Sequence, residues 1–103
     1  MQALTGKQRR HLRALGQALR ATLNVGHEGV SEALVRQAEA LLEAHELIKV
    51  RVGDNAPADR HETAEDLAAR TRAHLAQVIG RTALLYRRRR DEPMVVFPSE
   101  AGR

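Results

Sequence analysis

The chain has no cysteine and no tryptophan, and its aromatic residues are limited to Tyr86 and Phe97. Without cysteine, disulfide staples, thiolate nucleophiles and cysteine-ligated zinc are excluded, and a reducing compartment such as the cytoplasm fits. With so few rings, the core has to be built from Leu, Val, Ile and Ala. No apolar run approaches the roughly 20 residues that span a bilayer, and the first residues lack the apolar core of a secretory signal. Acid is missing from two stretches. Residues 1–25 hold Lys7, Arg9, Arg10, Arg13 and Arg20 with no Asp or Glu, and residues 76–90 hold Arg81 and Arg87 to Arg90, again with none.

The chain is 103 residues long, 43% hydrophobic and 29% charged, which suits one globular domain with one modest core. The formal net charge is +4, and its distribution says more than its size. Two basic blocks flank a mildly acidic centre. They form a polyanion-binding face if the fold joins them; otherwise they serve solubility.

Thr5-Gly6-Lys7-Gln8 reads as a capping box. It predicts a helix from about Gly6 to Leu19, with Leu12, Leu15 and Leu19 on one face and Arg9, Arg10, Arg13 and Arg20 on the other, Lys7 at the border. Arginines with no acidic i,i+4 partner repel one another unless an anion arrives. Ala21 to Val25 predicts a short strand. Val25-Gly26-His27-Glu28-Gly29-Val30-Ser31 then places two glycines three apart before a second helix, from about Glu32 to Ala44 with Ser31 as its N-cap. Glycines let backbone amides approach a ligand, and a helix N-terminus adds free N–H groups, so this loop is a candidate phosphate contact. His45 to Val52 is the clearest strand, since Ile48, Val50 and Val52 alternate with Lys49 and Arg51. After the turn residues of Gly53 to Pro57, a third helix is expected from Ala58 or Asp59 to His74. Leu75 to Ile79 and Thr82 to Arg87 predict a hairpin around Gly80-Arg81, of the type with glycine first. Met94 to Phe97 is a candidate short edge strand, and disorder is expected from Pro98. The order α-β-α-β-α-β-β predicts a mixed sheet covered by helices.

Four ordered blocks resemble the CRM domain (chloroplast RNA splicing and ribosome maturation). They are Leu4-Thr5-Gly6-Lys7-Gln8-Arg9-Arg10-His11-Leu12, Val25-Gly26-His27-Glu28-Gly29-Val30, His45-Glu46-Leu47-Ile48-Lys49-Val50 and Gln77-Val78-Ile79-Gly80-Arg81-Thr82, the last continuing to Leu85-Tyr86-Arg87. A stand-alone domain of this size is similar to the bacterial YhbY-type proteins. The resemblance implies an α/β (α+β two-layer) fold with a four-stranded mixed sheet and three helices, similar to the C-terminal domain of translation initiation factor three. It implies a monomeric, cytoplasmic RNA-binding protein of the ribosome assembly type, acting on precursor large-subunit rRNA and ribosomal particles. On that reading residues 3–90 form the domain and 91–103 a tail. The Arg-rich opening is then part of the fold and not a transit peptide.

The candidate RNA contacts are Lys7, Arg9, Arg10, Arg13 and Arg20 on the first helix, and Gly26, His27, Glu28 and Gly29 in the loop. Lys49 and Arg81 stand at basic positions of their blocks, and Arg87 and Arg88 open the polybasic run. Two positions depart from the family. The inner loop residues are His27 and Glu28 where small, polar or basic ones are common, and Ala21-Thr22 stands where the family often has proline. A carboxylate beside a phosphate lowers affinity unless it points away or bonds a base donor. Scarce aromatics make stacking minor, so RNA shape should carry specificity. No His pair has metal-ligand spacing and no nucleophile has a matched base, so neither a metal, a cofactor nor an enzymatic activity is expected. The alternative is a ribosome-associated interaction module whose basic face binds an acidic protein partner.

Overall fold

The computed structural model describes residues 3–98. The first helix, α1 (Gly6–Gly16), opens on the expected capping box: the Gln8 amide donates to Thr5 Oγ1 at 3.1 Å, and the Thr5 amide donates to Gln8 Oε1 at 2.9 Å. It ends three residues before the predicted Leu19. Its last turns tighten, with the amides of Gln17, Ala18 and Leu19 donating to the carbonyls of Ala14, Leu15 and Gly16, each bond spanning one residue less than in an α-helix. Gly16 lies against the sheet, where a Cβ would stand 2.5 Å from Leu84 Cδ1.

Then follow β1 (Ala21–Val25), α2 (Glu32–His45), β2 (Leu47–Val52), α3 (Arg60–Thr71), β3 (His74–Ile79) and β4 (Thr82–Tyr86). The strand order is β1-β2-β4-β3; β1 and β2 are parallel and the other pairs antiparallel. The hairpin between β3 and β4 is the two-residue Gly80-Arg81 turn, with φ of 57° at Gly80 and no positive φ at Arg81, the dihedral signature of the glycine-first type.

Two helix ends differ from expectation for one physical reason. α2 and α3 stop on non-glycine residues with positive φ. Glu46 follows α2 at φ 66°, and Arg72 follows α3 at φ 56° and ψ 40°. After α3 the Ala73 amide reaches back to the Ala68 carbonyl at 2.9 Å, closing the helix so that His74 begins a strand. β2 likewise begins at Leu47, not His45, which is the last helical residue.

The sheet separates two apolar clusters. On one face Leu34, Ala38 and Leu42 of α2 and Leu67 and Ala68 of α3 meet Leu23, Val25, Ile48, Val50 and Leu85. On the other, Leu12 of α1 meets Leu47, Ala76, Leu84, Tyr86 and Phe97. Alternation along each strand sends neighbours such as Leu47 and Ile48 to opposite faces. The expected three helices and four-stranded mixed sheet are present. Because α1 lies opposite α2 and α3, however, the layers number three rather than two.

Met94 to Phe97 forms no strand. Consecutive amides of Met94 and Val95 both donate to Glu46 Oε1, at 2.8 and 2.6 Å, and the Arg89 amide donates to Glu46 Oε2 at 2.7 Å. A ladder would need alternate amides, so the carboxylate displaces it. The segment is ordered beyond the polybasic run: Phe97 is buried and meets Tyr86 edge-on, with centroids 5.8 Å apart. Disorder was expected from Pro98; apart from Pro98 itself, that stretch lies outside the described residues.

Candidate nucleic-acid interface

The glycine loop leaves the end of β1. The Gly29 amide donates to the Gly26 carbonyl at 3.0 Å, and the Ser31 amide donates to the Gly29 carbonyl at 3.1 Å. Ser31 Oγ in turn accepts the Leu34 amide at 3.1 Å, so α2 begins directly behind the loop. Gly29 has φ of 67°, and a Cβ on it would stand 3.0 Å from Pro57 Cγ; both facts select glycine. Gly26 is under neither constraint: Asn55 Nδ2, 3.9 Å from a Cβ placed there, is the nearest atom. His27 and Glu28 form the exposed tip.

Three connections share this end of the sheet. The Gly53 amide donates to the Val25 carbonyl at 3.0 Å, and the Val52 amide donates to the Arg81 carbonyl at 2.7 Å. Glu28 borders the clefts on both sides of the loop. On the sheet side a cleft of about 270 Å³ is lined by Asn24, His27, Glu28, Ser31 and Gln37. On the α3 side Glu28 stands with Glu62 and Asp66 around Pro57. Arg81 is ion-paired with Asp54, both largely exposed.

The α1 residues divide by their angle around the helix. Leu12 and Gly16 face the sheet, and His11 and Leu15 point to the flank occupied by residues 94–97. At about 100° per residue this leaves Arg9 and Arg13 on the opposite flank and Arg10 outermost. Arg9 Nη1 donates to the Leu75 carbonyl at 2.8 Å. Among the described residues no carboxylate pairs with Arg9, Arg10 or Arg13. Lys7 stands instead beside Phe97 and Pro98. Toward the loop end of the sheet, Asn24, Arg51 and Thr82 stand in register across β1, β2 and β4. Asn24 and Arg51 are exposed.

The remaining predicted contacts are not gathered at the loop. Arg20 and Lys49 line a separate groove near the start of β1. Lys49 pairs with Ala21 at the start of β1 and lies two residues before Arg51 on the same face of β2. Arg87 and Arg88 follow the far end of β4. Arg87 is built into the fold: Nη1 donates to the Thr71 carbonyl at 2.9 Å, Nη2 to Glu43 at 3.2 Å, and the side chain is 18% exposed. The two basic blocks therefore do not merge into one face. Arg51 and Asn24 join the loop surface although neither was a candidate from sequence; the Lys49/Arg51 alternation on β2 was the available signal.

His74 is half-buried and stacks on Tyr86, with centroids 6.1 Å apart. Its pKa is lowered from 6.5, first by burial and then by the charge of Arg9.

The family model of the CRS1 / YhbY (CRM) domain matches residues 4–87. The chain belongs to this family. Among curated proteins, "Probable RNA-binding protein YqeI" of Bacillus subtilis is 39% identical over 95 residues, covering 92% of this chain and 99% of that one. "Probable RNA-binding protein PA4753" of Pseudomonas aeruginosa is 36% identical over 86 residues, covering 84% and 83%. The solution structure of the hypothetical protein SAV1595 from Staphylococcus aureus superposes with a TM-score of 0.78 at 39% identity, covering 92% of this chain and 99% of that one. In this CRM domain, then, a glycine loop at a helix N-terminus stands beside exposed Asn24 and Arg51, and Arg9, Arg10 and Arg13 of α1 have no carboxylate partner among the described residues. That arrangement can engage successive phosphates of a polyanion by charge and backbone donors.

Proposed function

We propose that this CRM domain binds RNA, specifically precursor rRNA of the large ribosomal subunit, as a monomeric assembly factor in the cytoplasm. The observation that carries the reading is that Arg9, Arg10 and Arg13 have no carboxylate partner among the described residues, while exposed Asn24 and Arg51 stand beside the glycine loop. Arg9, Arg10, Arg13 and Arg51 neutralise phosphates, while the loop positions one turn of the backbone. The role is binding, not catalysis. The names of the YqeI and PA4753 proteins support RNA as the ligand.

Fluorescence anisotropy with large-subunit rRNA fragments over a salt series tests it. Each phosphate contact removed should flatten the log–log salt dependence by about 0.7–0.9, so Arg13→Gln and Arg51→Gln should each weaken binding and lower the slope by roughly one such step. Gly26→Asp adds a carboxylate at the loop without backbone strain and should weaken binding with an unchanged melting temperature. If all three variants keep the affinity and slope of the natural chain, RNA does not use this surface.

A further inference from the structure

Four large apolar side chains are well exposed among the described residues, and three of them converge on one place. Leu15 (40%), Met94 (53%) and Val96 (57%) line a groove of about 560 Å³ with Leu19, Leu47 and Val95. The end of α1 forms one wall, the start of β1 and β2 the floor, and the extended segment 94–96 the other wall. Its basic side chains are Arg20 and Lys49, His11 and His45 also line it, and among the described residues no carboxylate does. The nearby acid, Glu46, is fully buried beneath the tail. It holds the amides of Met94 and Val95, so this wall is fixed before any ligand arrives. Clustered exposed aliphatic groups with a polar edge mark a docking surface on a small protein.

We propose that the groove docks an acidic amphipathic helix of a protein partner, with aliphatic residues on the groove floor and carboxylates over Arg20 and Lys49. The shape of the lining favours protein over RNA. Bases gain most from flat rings or guanidinium planes; the lining holds His11, His45 and Arg20, but its exposed apolar surface is non-aromatic, made of Leu15, Met94 and Val96. Aliphatic side chains at i, i+3 and i+4 suit such a groove, and an edge basic at Arg20 and Lys49 selects acidic flanks over basic ones. The inference is independent of the RNA surface, because the loop and Arg13 lie outside the groove.

The test uses the full chain and a fluorescein-labelled synthetic helix carrying leucines on one face and glutamates on the other. A matched peptide with lysine in place of every glutamate is the control. The acidic peptide should bind saturably and the lysine peptide should not. Leu15→Ser/Val96→Ser should weaken binding at least roughly tenfold, as expected for two lost aliphatic contacts. Both positions are exposed, so the melting temperature should hold. Arg20→Glu should weaken binding similarly, and Gly26→Asp should leave it unchanged. Equal binding of the two peptides, no saturable binding of the acidic one, or indifference to Leu15→Ser/Val96→Ser would overturn the proposal. Competition by a single-stranded oligoribonucleotide that disappears in the same double variant would assign the groove to RNA and likewise overturn it.

Discussion

Glu46→Gln is the most informative single change for the fold. The carboxylate accepts three amides, Met94 and Val95 on Oε1 and Arg89 on Oε2. Glutamine keeps the shape but offers one oxygen and one NH2. Whichever way it turns, a donor faces a donor. A hydrogen bond to a charged group contributes about 1.5–3 kcal/mol, and the surviving bonds lose their charge assistance. Peeling of the tail limits the damage, because the released amides then reach water; what is lost is the docking of Phe97, whose burial is worth about 2–3 kcal/mol. The expected loss is therefore about 2–3 kcal/mol, or about 10–20 °C in melting temperature for a chain of this size. Tyr86 is the one tyrosine and there is no tryptophan, so tyrosine fluorescence reports the Tyr86–Phe97 contact directly while circular dichroism follows the helices. Phe97→Ala should have a comparable effect, and Glu46→Gln/Phe97→Ala should fall well short of the sum, since both release the same segment. Additive losses, or a Glu46→Gln midpoint within about 0.5 kcal/mol of the natural chain, would refute the clasp.

Arg87→Met should cost about 1–3 kcal/mol in urea unfolding, because it removes the Thr71 carbonyl bond and the Glu39 and Glu43 pairs of a mostly buried side chain, and it should leave RNA affinity unchanged. An RNA defect at full stability would return Arg87 to the interface. Gly29→Ala should destabilise by about 1–2 kcal/mol through its positive φ, with Pro57 adding to the strain, whereas Gly26→Ala should be near neutral; equal midpoints would contradict the loop geometry. The lowered pKa of His74 makes the unfolded chain the stronger proton binder. Its contribution is complete above 6.5 and is lost as pH falls from 6.5 toward the folded pKa. Unfolding midpoints should therefore drop less between about pH 7.5 and 5 in His74→Gln than in the natural chain, and parallel curves would exclude this residue.

Legibility in the sequence followed the locality of the physics. The capping box at Thr5–Gln8, the Ser31 cap, the period-two run of β2 and the glycine-first hairpin are all set by residues within a few positions of one another, and each was readable. The ends of α2 and α3 were not. Positive-φ caps are normally signalled by glycine or asparagine, and here Glu46 and Arg72 occupy them, only Arg72 in the left-handed helical region. Glu46 holds its position because its buried carboxylate bonds amides more than 40 positions away, a long-range gain no local pattern reveals. The candidate site was legible in its parts but not in its assembly. Sequence gives arginines on one helix face, yet only the packing of Leu12 and Gly16 on the sheet decides that Arg9 reaches the Leu75 carbonyl while Lys7 turns to Phe97. The polybasic run looked like one feature; the fold spends Arg87 on α2 and α3.

The proposed RNA surface has to accommodate the carboxylate of Glu28. Glu28 borders both clefts, but Glu62 and Asp66 join it only on the α3 side, so that side repels a polyanion more strongly. The sheet side offers Asn24, with Arg51 next to it in the ladder. If RNA binds as proposed, its backbone runs past Asn24 and Arg51, away from Glu62 and Asp66, and Glu28 stands at the border of that path. Glu28→Gln should then raise RNA affinity only slightly, since the neighbouring acids remain, whereas Arg51→Glu should weaken binding more than the equivalent reversal at Arg36 on the exposed side of α2. Equal sensitivity at Arg36 and Arg51 would mean that net charge, and not this path, governs association.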